Sequence, residues 1–312
     1  AILGFGDRSF AAFCGFADAV SAQLTRFGWP ELMPIARIDR QSSRDFTLWG
    51  RALGQAIGTP LDLQHRVVTP DCVSLRLASR QDFGSKVGAP SAILRFEAGN
   101  GGSLPQFQAG DLLGVVAPGS DVPRLYSLAS GRRDGFAEIA VRQMPGGLCS
   151  GHLHGLRPGD EIRAFVRANP AFRVAQGRAP VILIAAGCGI GPMAGVLRHL
   201  RPGRQSVLYF GIRDPQSDFL YRQETDAMLA DGRLSRRIMA FSRSGPRQHV
   251  QDLLRENAEN LGRQVRSGGQ VLICGSAAMA RGVAEAFAEI LQPLGLTVAG
   301  LKAEGRYLED VY

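Results

Sequence analysis

The alternation of hydrophobic and polar positions divides the chain into three textures. From residue 179 onward, short unbroken apolar runs alternate with amphipathic ones. Val181, Ile182, Leu183 and Ile184 form a continuous run of the kind a strand covered on both faces requires. Further strands are predicted at residues 207–211, 237–241 and 270–275, with helices at 193–200, 220–229, 250–261 and 279–291. Strands and helices alternating at this spacing imply a parallel sheet with helices on both faces, and ligands of such sheets sit at the carboxyl ends of the strands. Gly187, Gly211, Ser242, Arg243, Cys274 and Gly275 fall at those ends.

Upstream, the pattern is β-rich. Short segments at 67–68, 73–77, 92–96 and 112–116 are separated by turn signals such as residues 99–102 and Pro118-Gly119, which favours an antiparallel barrel or sandwich. Residues 105–111 and 156–162 share one turn chemistry, Pro followed by Gly-Asp, each leading into a strand. The first texture is different again: a strand at residues 1–3, a helix over 13–27 with Phe13, Phe16, Val20 and Leu24 on one face, and a second helix over 46–57 carrying Trp49 and Leu53. Two helices and a lone strand are poor material for a self-contained fold, so this segment reads as the tail of a domain whose beginning is missing.

Composition narrows the picture. With 312 residues, 45% of them hydrophobic, the chain can bury a substantial core in two or more domains. The formal net charge of +8 is carried almost wholly by arginine, since Lys86 and Lys302 are the only lysines, and it suits an anionic ligand or partner. The charges are scattered, without an arginine-rich run or interleaved aromatic stripe, which argues for a solvated basic surface and against nucleic-acid binding. Five cysteines without CxxC spacing argue against a disulfide frame or zinc site and for a reducing compartment. His152 and His154 have no cysteine or carboxylate nearby to complete a metal set and read as a loop or strand-edge pair. No signal peptide is visible. The uncharged run 179–197 is long enough to raise a membrane helix, but three glycines and a proline interrupt it, so no membrane segment is expected.

Three stretches carry candidate chemistry. Residues 179–193 read as strand, glycine turn and helix start: Gly187, Gly189 and Gly191 permit positive φ and close approach, and Pro192 gives up an amide that the first helical turn leaves unpaired. The free N–H groups there suit a dinucleotide pyrophosphate, while packing alone also explains many such turns. In RLYSLAS, residues 124–130, a strand puts Arg124 and Tyr126 on one face and Leu125 and Ser127 on the other. A guanidinium beside an aromatic ring can hold a planar ring system and its phosphate, or be an ordinary surface pair. Gly146, Gly147, Leu148, Cys149 and Ser150 offer small residues and a hydroxyl at a helix start, a second phosphate seat.

Taken in this order, the chain resembles the FAD- and NADPH-binding half of the diflavin reductases, the group containing sulfite reductase flavoprotein subunits and cytochrome P450 reductases within the ferredoxin–NADP reductase superfamily. RLYSLAS is similar to the family's FAD motif, GGLCS at 146–150 to its flavin-phosphate motif, and GCGIGPM at 187–193 to its nicotinamide-nucleotide loop. FGIRDPQSDFLYRQE from Phe210, AFSR from Ala240, ICGSAAMARGV from Ile273 and the terminal RYLEDVY follow in the family's order. The resemblance implies an antiparallel FAD-binding barrel over 59–178 and a parallel α/β NADP-binding domain over 179–312, preceded by a partial flavodoxin-like segment and linker over 1–58.

It also implies roles. Arg124 would hold the FAD pyrophosphate, Tyr126 would pack on the flavin, Ser127 would bond near its N5, and Gly147, Leu148, Cys149 and Ser150 would seat flavin phosphate. Gly187, Gly189, Gly191, Pro192, Arg213 and Gly275 would line the NADPH site, with Ser242, Arg243 and Arg247 on the 2′-phosphate. Ser127, Cys274 and Asp310 would surround the point where nicotinamide meets flavin, and Tyr312 would stack on the flavin and move aside. Without the resemblance, Cys274 is a small buried hydrophobe and Tyr312 a frayed end.

The implied activity is a cytoplasmic NADPH-dependent reductase: hydride transfer to FAD, then single electrons through FMN in a longer parent protein to a haem or iron–sulfur acceptor. Three departures qualify this. His249 stands where the family usually has a tyrosine near the 2′-phosphate; only residues 119–123 stand where the family's helical insertion precedes the RLYS motif; and residues 4–17 resemble just the last loop and helix of an FMN domain, with Phe10 facing the flavin. The chain as given is therefore not expected to hold FMN. A single-flavin reductase serving ferredoxin or another soluble acceptor is the first alternative, and a non-catalytic flavin- or nucleotide-binding regulatory module the second.

Overall fold

A computed structural model describes residues 1–6, 12–65, 70–99, 101–120 and 122–312; the expected strand at 67–68 and Phe10 lie outside the described residues. The chain forms two compact units, one made of residues 1–71 with 116–123 and the other of 72–115 with 124–312.

In the first unit, β1 (Leu3–Gly6), α1 (Gly15–Arg26), β2 (Ala36–Asp39) and α2 (Ser43–Ala56) follow in order, and β1 and β2 pair in parallel. The first strand therefore sits a few residues beyond its expected place. A Cβ on Gly4 would come within 2.6 Å of that of Ala17, so α1 can lie directly on β1 only because the strand carries no side chain at this position. Ser42 caps α2 by accepting from the Asp45 amide at 3.3 Å. Phe5, Phe46, Trp49 and His65 form an aromatic cluster with ring centroids 5.5–6.1 Å apart.

The second unit begins with an antiparallel sheet built from β3 (Val73–Phe83), β4 (Ser91–Ala98), β5 (Leu112–Val115), β6 (Arg124–Ser127) and β7 (Ala137–Arg142), then, beyond α3 (Leu148–Gly155), β8 (Glu161–Arg167). The strand order is β6-β5-β8-β3-β4-β7. A bridge between Leu128 and Ile139 joins the two outer strands and closes the sheet into a barrel, removing the open edges. Leu75, Leu77, Leu94, Phe96, Leu113, Leu128 and Ile139 fill it with essentially no exposure. His152 and His154 lie on α3, not in a loop or at a strand edge. Burial of Cys149, Ser150 and Leu153 on one face holds this segment as a helix.

The chain then enters a five-stranded parallel sheet. Its elements are β9 (Val181–Ala186), α4 (Ile190–Arg198), β10 (Ser206–Ile212), α5 (Arg222–Ala230), β11 (Arg236–Phe241), α6 (Val250–Glu256), α7 (Ala258–Arg266), β12 (Gln270–Gly275), α8 (Ala277–Leu291), α9 (Val298–Ala303) and β13 (Tyr307–Val311), in strand order β11-β10-β9-β12-β13. The apolar run of β9 splits by parity: Leu183 and Ala185 join a core with α4 and α5, whereas Ile182 and Ile184 face α6, α7 and α8. The single helix expected over 250–261 is two, because Asn257 leaves helical geometry and its side-chain amide donates to the Leu253 carbonyl at 2.9 Å. β2, α9 and β13 had no counterpart among the expected elements.

Candidate functional site

The carboxyl edge of the parallel sheet gathers residues from five elements. Between β9 and α4, the glycine turn departs from expectation: only Gly187 has positive φ, at 53°, while Gly189 is right-handed at φ −61° and Gly191 lies inside α4 with Pro192 beside it. Gly189 is there for proximity instead. A Cβ on it would overlap the Cys274 carbonyl at the end of β12, so the turn and that strand end touch backbone to backbone. Nothing lies within 4 Å of where a Cβ on Gly187 would stand, so the turn opens onto free space.

Beside it, β12 and β13 run in parallel with Cys274 opposite Asp310. Asp310 accepts a 2.5 Å hydrogen bond from the Ser127 hydroxyl of β6, and the Cys274 thiol lies 3.9 Å from the same carboxylate oxygen. Burial raises the Asp310 carboxyl above its ordinary value, the bonds from Ser127 and Cys274 opposing the shift in part. Burial, then the Asp310 charge, pushes the Cys274 thiol well up, so it is a neutral thiol rather than a nucleophile. Tyr312 is no frayed end. Its amide donates to the Gly275 carbonyl at 3.1 Å and its carbonyl accepts from Ala277 at 3.2 Å, while the residue stays 62% exposed.

On the barrel, Arg124 is exposed, and its side chain makes no hydrogen bond or ion pair among the described residues. Tyr126 is half-buried; burial and then its hydrogen bond with Cys149 raise its hydroxyl strongly, linking β6 to the first turn of α3. The Cys149 thiol points inward, 3.9 Å from the Val115 carbonyl, and the Ser150 hydroxyl accepts from Met144 at 3.1 Å. Both side chains are thus engaged within the barrel, leaving the α3 amides and Gly147, its N-terminal flanking residue, to offer a phosphate seat.

At the other end of the sheet edge lie the cations. Arg213 and Arg243 each donate through Nη1 to one carbonyl, that of Val87, at 2.9 and 2.8 Å. Burial, then repulsion from Arg142 and Arg243, lowers the Arg213 pKa. Ser242 is fixed by its amide to the Ile212 carbonyl at 3.0 Å, and Arg247 and His249 are exposed on the following loop. Asp218 spends its carboxylate on the amides of Arg213 and Asp214, at 2.8–3.2 Å.

Residues 82–165 match the oxidoreductase FAD-binding domain, and residues 183–285 match the oxidoreductase NAD-binding domain. The chain carries these two oxidoreductase domains, FAD-binding and then NAD-binding. Among curated relatives, the chain is 32% identical over 236 residues to the sulfite reductase [NADPH] flavoprotein alpha-component of Citrobacter koseri, covering 67% of this chain and 39% of that protein. It is equally similar to the same component from Escherichia coli K12, and 33% identical over 237 residues to a nitric oxide synthase of Bombyx mori, covering 64% of this chain and 19% of that one. The chain thus spans about two fifths of the sulfite reductase components it matches.

The donor set of the chain fits these two cofactors. Among the described residues Arg124, beside Tyr126, is a guanidinium with no carboxylate partner, and the guanidinium groups of Arg213 and Arg243 bond only a carbonyl, so phosphate oxygens would supply the missing negative charge. Among the described residues no group of three or more His, Cys, Asp or Glu could hold a metal ion, and no helix is long and apolar enough to cross a membrane. Sequence reasoning missed Val87, Arg142 and Cys188. Burial pushes the Cys188 thiol up to about 11, with a hydrogen bond to Ser91 opposing. Its position inside the glycine turn was the available signal.

Proposed function

We propose that this oxidoreductase takes reducing equivalents from NADPH and delivers them, through a flavin, to an acceptor protein or domain. The observation that supports this most is the 2.5 Å bond from Ser127 to Asp310, which joins the strand of the flavin motif to the last strand of the dinucleotide sheet. FAD, when bound, supplies the ring that accepts a hydride from NADPH and passes electrons on singly. The chain's residues bind and orient. Arg124, Tyr126 and the α3 amides beside Gly147, Leu148, Cys149 and Ser150 hold the flavin nucleotide; Gly187, Gly189, Gly191, Pro192 and Gly275 shape the dinucleotide seat. Arg213, Ser242, Arg243 and Arg247 take the 2′-phosphate side. Ser127 and Asp310 share a proton-bearing contact at the transfer point, Cys274 lines it as a neutral thiol, and Tyr312 covers the ring until nicotinamide arrives.

We assign residues 1–58 to the end of a flavodoxin-like FMN domain and linker, 59–178 to the FAD barrel and 179–312 to the NADP domain. In a longer parent protein FMN would carry electrons to a haem or iron–sulfur partner in the cytoplasm. The direct passage from β5 to β6 in eight residues favours a second reading, a compact single-flavin reductase that serves a soluble acceptor. The test is a visible spectrum of the purified protein with FAD, followed by anaerobic titration with NADPH and then NADH. Stoichiometric FAD bleached by NADPH at lower concentration than by NADH is expected. Bound flavin that neither nucleotide bleaches would leave a non-catalytic binding module in its place.

A further inference from the structure

The helix α4 begins at the glycine turn and ends at Arg198, and one face of it, Gly191, Gly195 and Arg198, lies on the barrel. A Cβ on Gly195 would come within 2.6 Å of the Ala129 carbonyl carbon and oxygen and 2.7 Å of the Ala109 Cβ. On Gly191 it would stand 3.4 Å from the Cβ atoms of Ala129 and Ala140. The helix backbone therefore rests on the barrel with no side chain between. At its last residue a single guanidinium locks that contact. Arg198 donates through Nη1 to the Ala129 carbonyl at 2.7 Å, and through Nη2 to Glu138 of β7 at 2.6 Å and to Glu224 of α5 at 2.8 Å; its Nε donates to Glu224 as well.

The centre of the clamp is dry, the Arg198 side chain being 9% exposed and that of Glu138 1%, while Glu224 at its rim is 30% exposed. Ala129 stands two residues beyond Ser127, and its amide donates to the Glu138 carbonyl at 2.7 Å. One side chain thus fixes the flavin strand, the barrel wall and α5 to the helix that starts at the dinucleotide turn. Burial works against its charge, and Glu224 and Glu138 more than reverse that effect, so it stays firmly protonated. Buried ion pairs are weak evidence for stability; what this one provides is geometry, through a planar fork that lysine lacks.

We propose that Arg198 is a positioning residue for hydride transfer, holding the glycine turn at a fixed distance from the flavin strand; this rests on reading Ser127 and Asp310 as the transfer point. Arg198 bonds none of the residues assigned to the cofactors, and the turn moves with α4 as one piece, so a disturbed clamp should leave binding intact while misplacing the reactants. In R198K, FAD content and the NADP⁺ dissociation constant should stay within about twofold of wild type while the limiting rate of flavin reduction by NADPH falls on the order of 10²-fold, the cost of a small misplacement. Hydrogen exchange should rise together in residues 124–130 and 190–198, with 270–275 unchanged. G195A, which keeps Arg198 but pushes α4 off Ala129, should give the same split, and it carries the test if R198K fails to fold. Unchanged limiting rates in both variants, or rates that fall only in step with lost FAD or NADP⁺ binding, would overturn the proposal. If wild-type flavin is not bleached by NADPH, the reading of the site falls and takes this inference with it; if wild type bleaches and the variants match it, only the inference falls.

Discussion

The two ends of the parallel sheet's carboxyl edge are built on opposite electrostatic plans. Where β12 and β13 meet the barrel, Ser127, Cys274 and Asp310 satisfy one another around a single carboxylate oxygen, at 2.5 and 3.9 Å. Where β10 and β11 end, Arg213 and Arg243 converge on one neutral carbonyl, and the carboxylate of Asp218 is committed to backbone amides. The first end is pre-organised, its shape set before any ligand arrives. The second holds unneutralised charge that a phosphate would complete. On the proposed function, chemistry that depends on alignment belongs at the first end and discrimination between anions at the second.

The turn that serves both ends is the place where the largest effect is expected. In G189A the new methyl overlaps the Cys274 carbonyl, a backbone group that moves only if the end of β12 moves. A loss of about 1–3 kcal/mol of stability follows from forced overlap of this kind. Thermal melting should show it, together with weaker NADPH binding and slower flavin reduction; a variant that melts and reduces like wild type would mean that the turn and strand are not in contact.

Next in size is the alignment end. Asp310→Asn should slow flavin reduction on the order of 10²-fold while FAD stays bound, because the Ser127 bond and the local charge are both altered. Unchanged pre-steady-state reduction would remove Asp310 from the mechanism. The same variant has a stability signature. Burial raises the folded-state carboxyl above 3.8, so its favourable contribution is present below that value and is lost as pH rises through the folded value. The variant should therefore gain on wild type as pH rises above the ordinary carboxylate range, since only wild type acquires a buried charge there, and the gap should close as pH falls back toward that range. Melting curves of both proteins across that range check this, and a gap that does not change with pH would detach the carboxyl's burial from stability.

These two ends also differ in how far the sequence exposes them. RLYSLAS, the glycine turn and the arginines after β11 are local, each readable from neighbours in the chain. The Ser127–Asp310 bond spans 183 residues and depends on β13, a strand that no periodicity in the short terminal RYLEDVY announced; its family resemblance alone brought Asp310 into view. The glycines of the turn were legible as glycines, but not why: Gly187 needs its φ, whereas Gly189 needs the space beside Cys274, a contact made across the sheet. Likewise, the break at Asn257 is a contest between a side-chain amide and the helix that hydrophobic spacing does not report. The clamp at Arg198 was silent in sequence because its partners come from β7, α5 and the residues just beyond β6.

The smallest expected effect probes the discriminating end. Arg243→Ala removes a guanidinium that is exposed and bonded to Val87, and it relieves part of the repulsion on Arg213, so the fold should be nearly indifferent. Charge-assisted bonds to phosphate are worth about 1.5–3 kcal/mol, so NADPH binding should weaken roughly tenfold or more. NADH, which lacks the 2′-phosphate, should bind as before. Dissociation constants for both nucleotides, measured on the FAD-loaded protein, decide the matter: a selective loss for NADPH assigns the cations to the 2′-phosphate, whereas equal losses would move Arg243 to a group the two nucleotides share, such as the pyrophosphate.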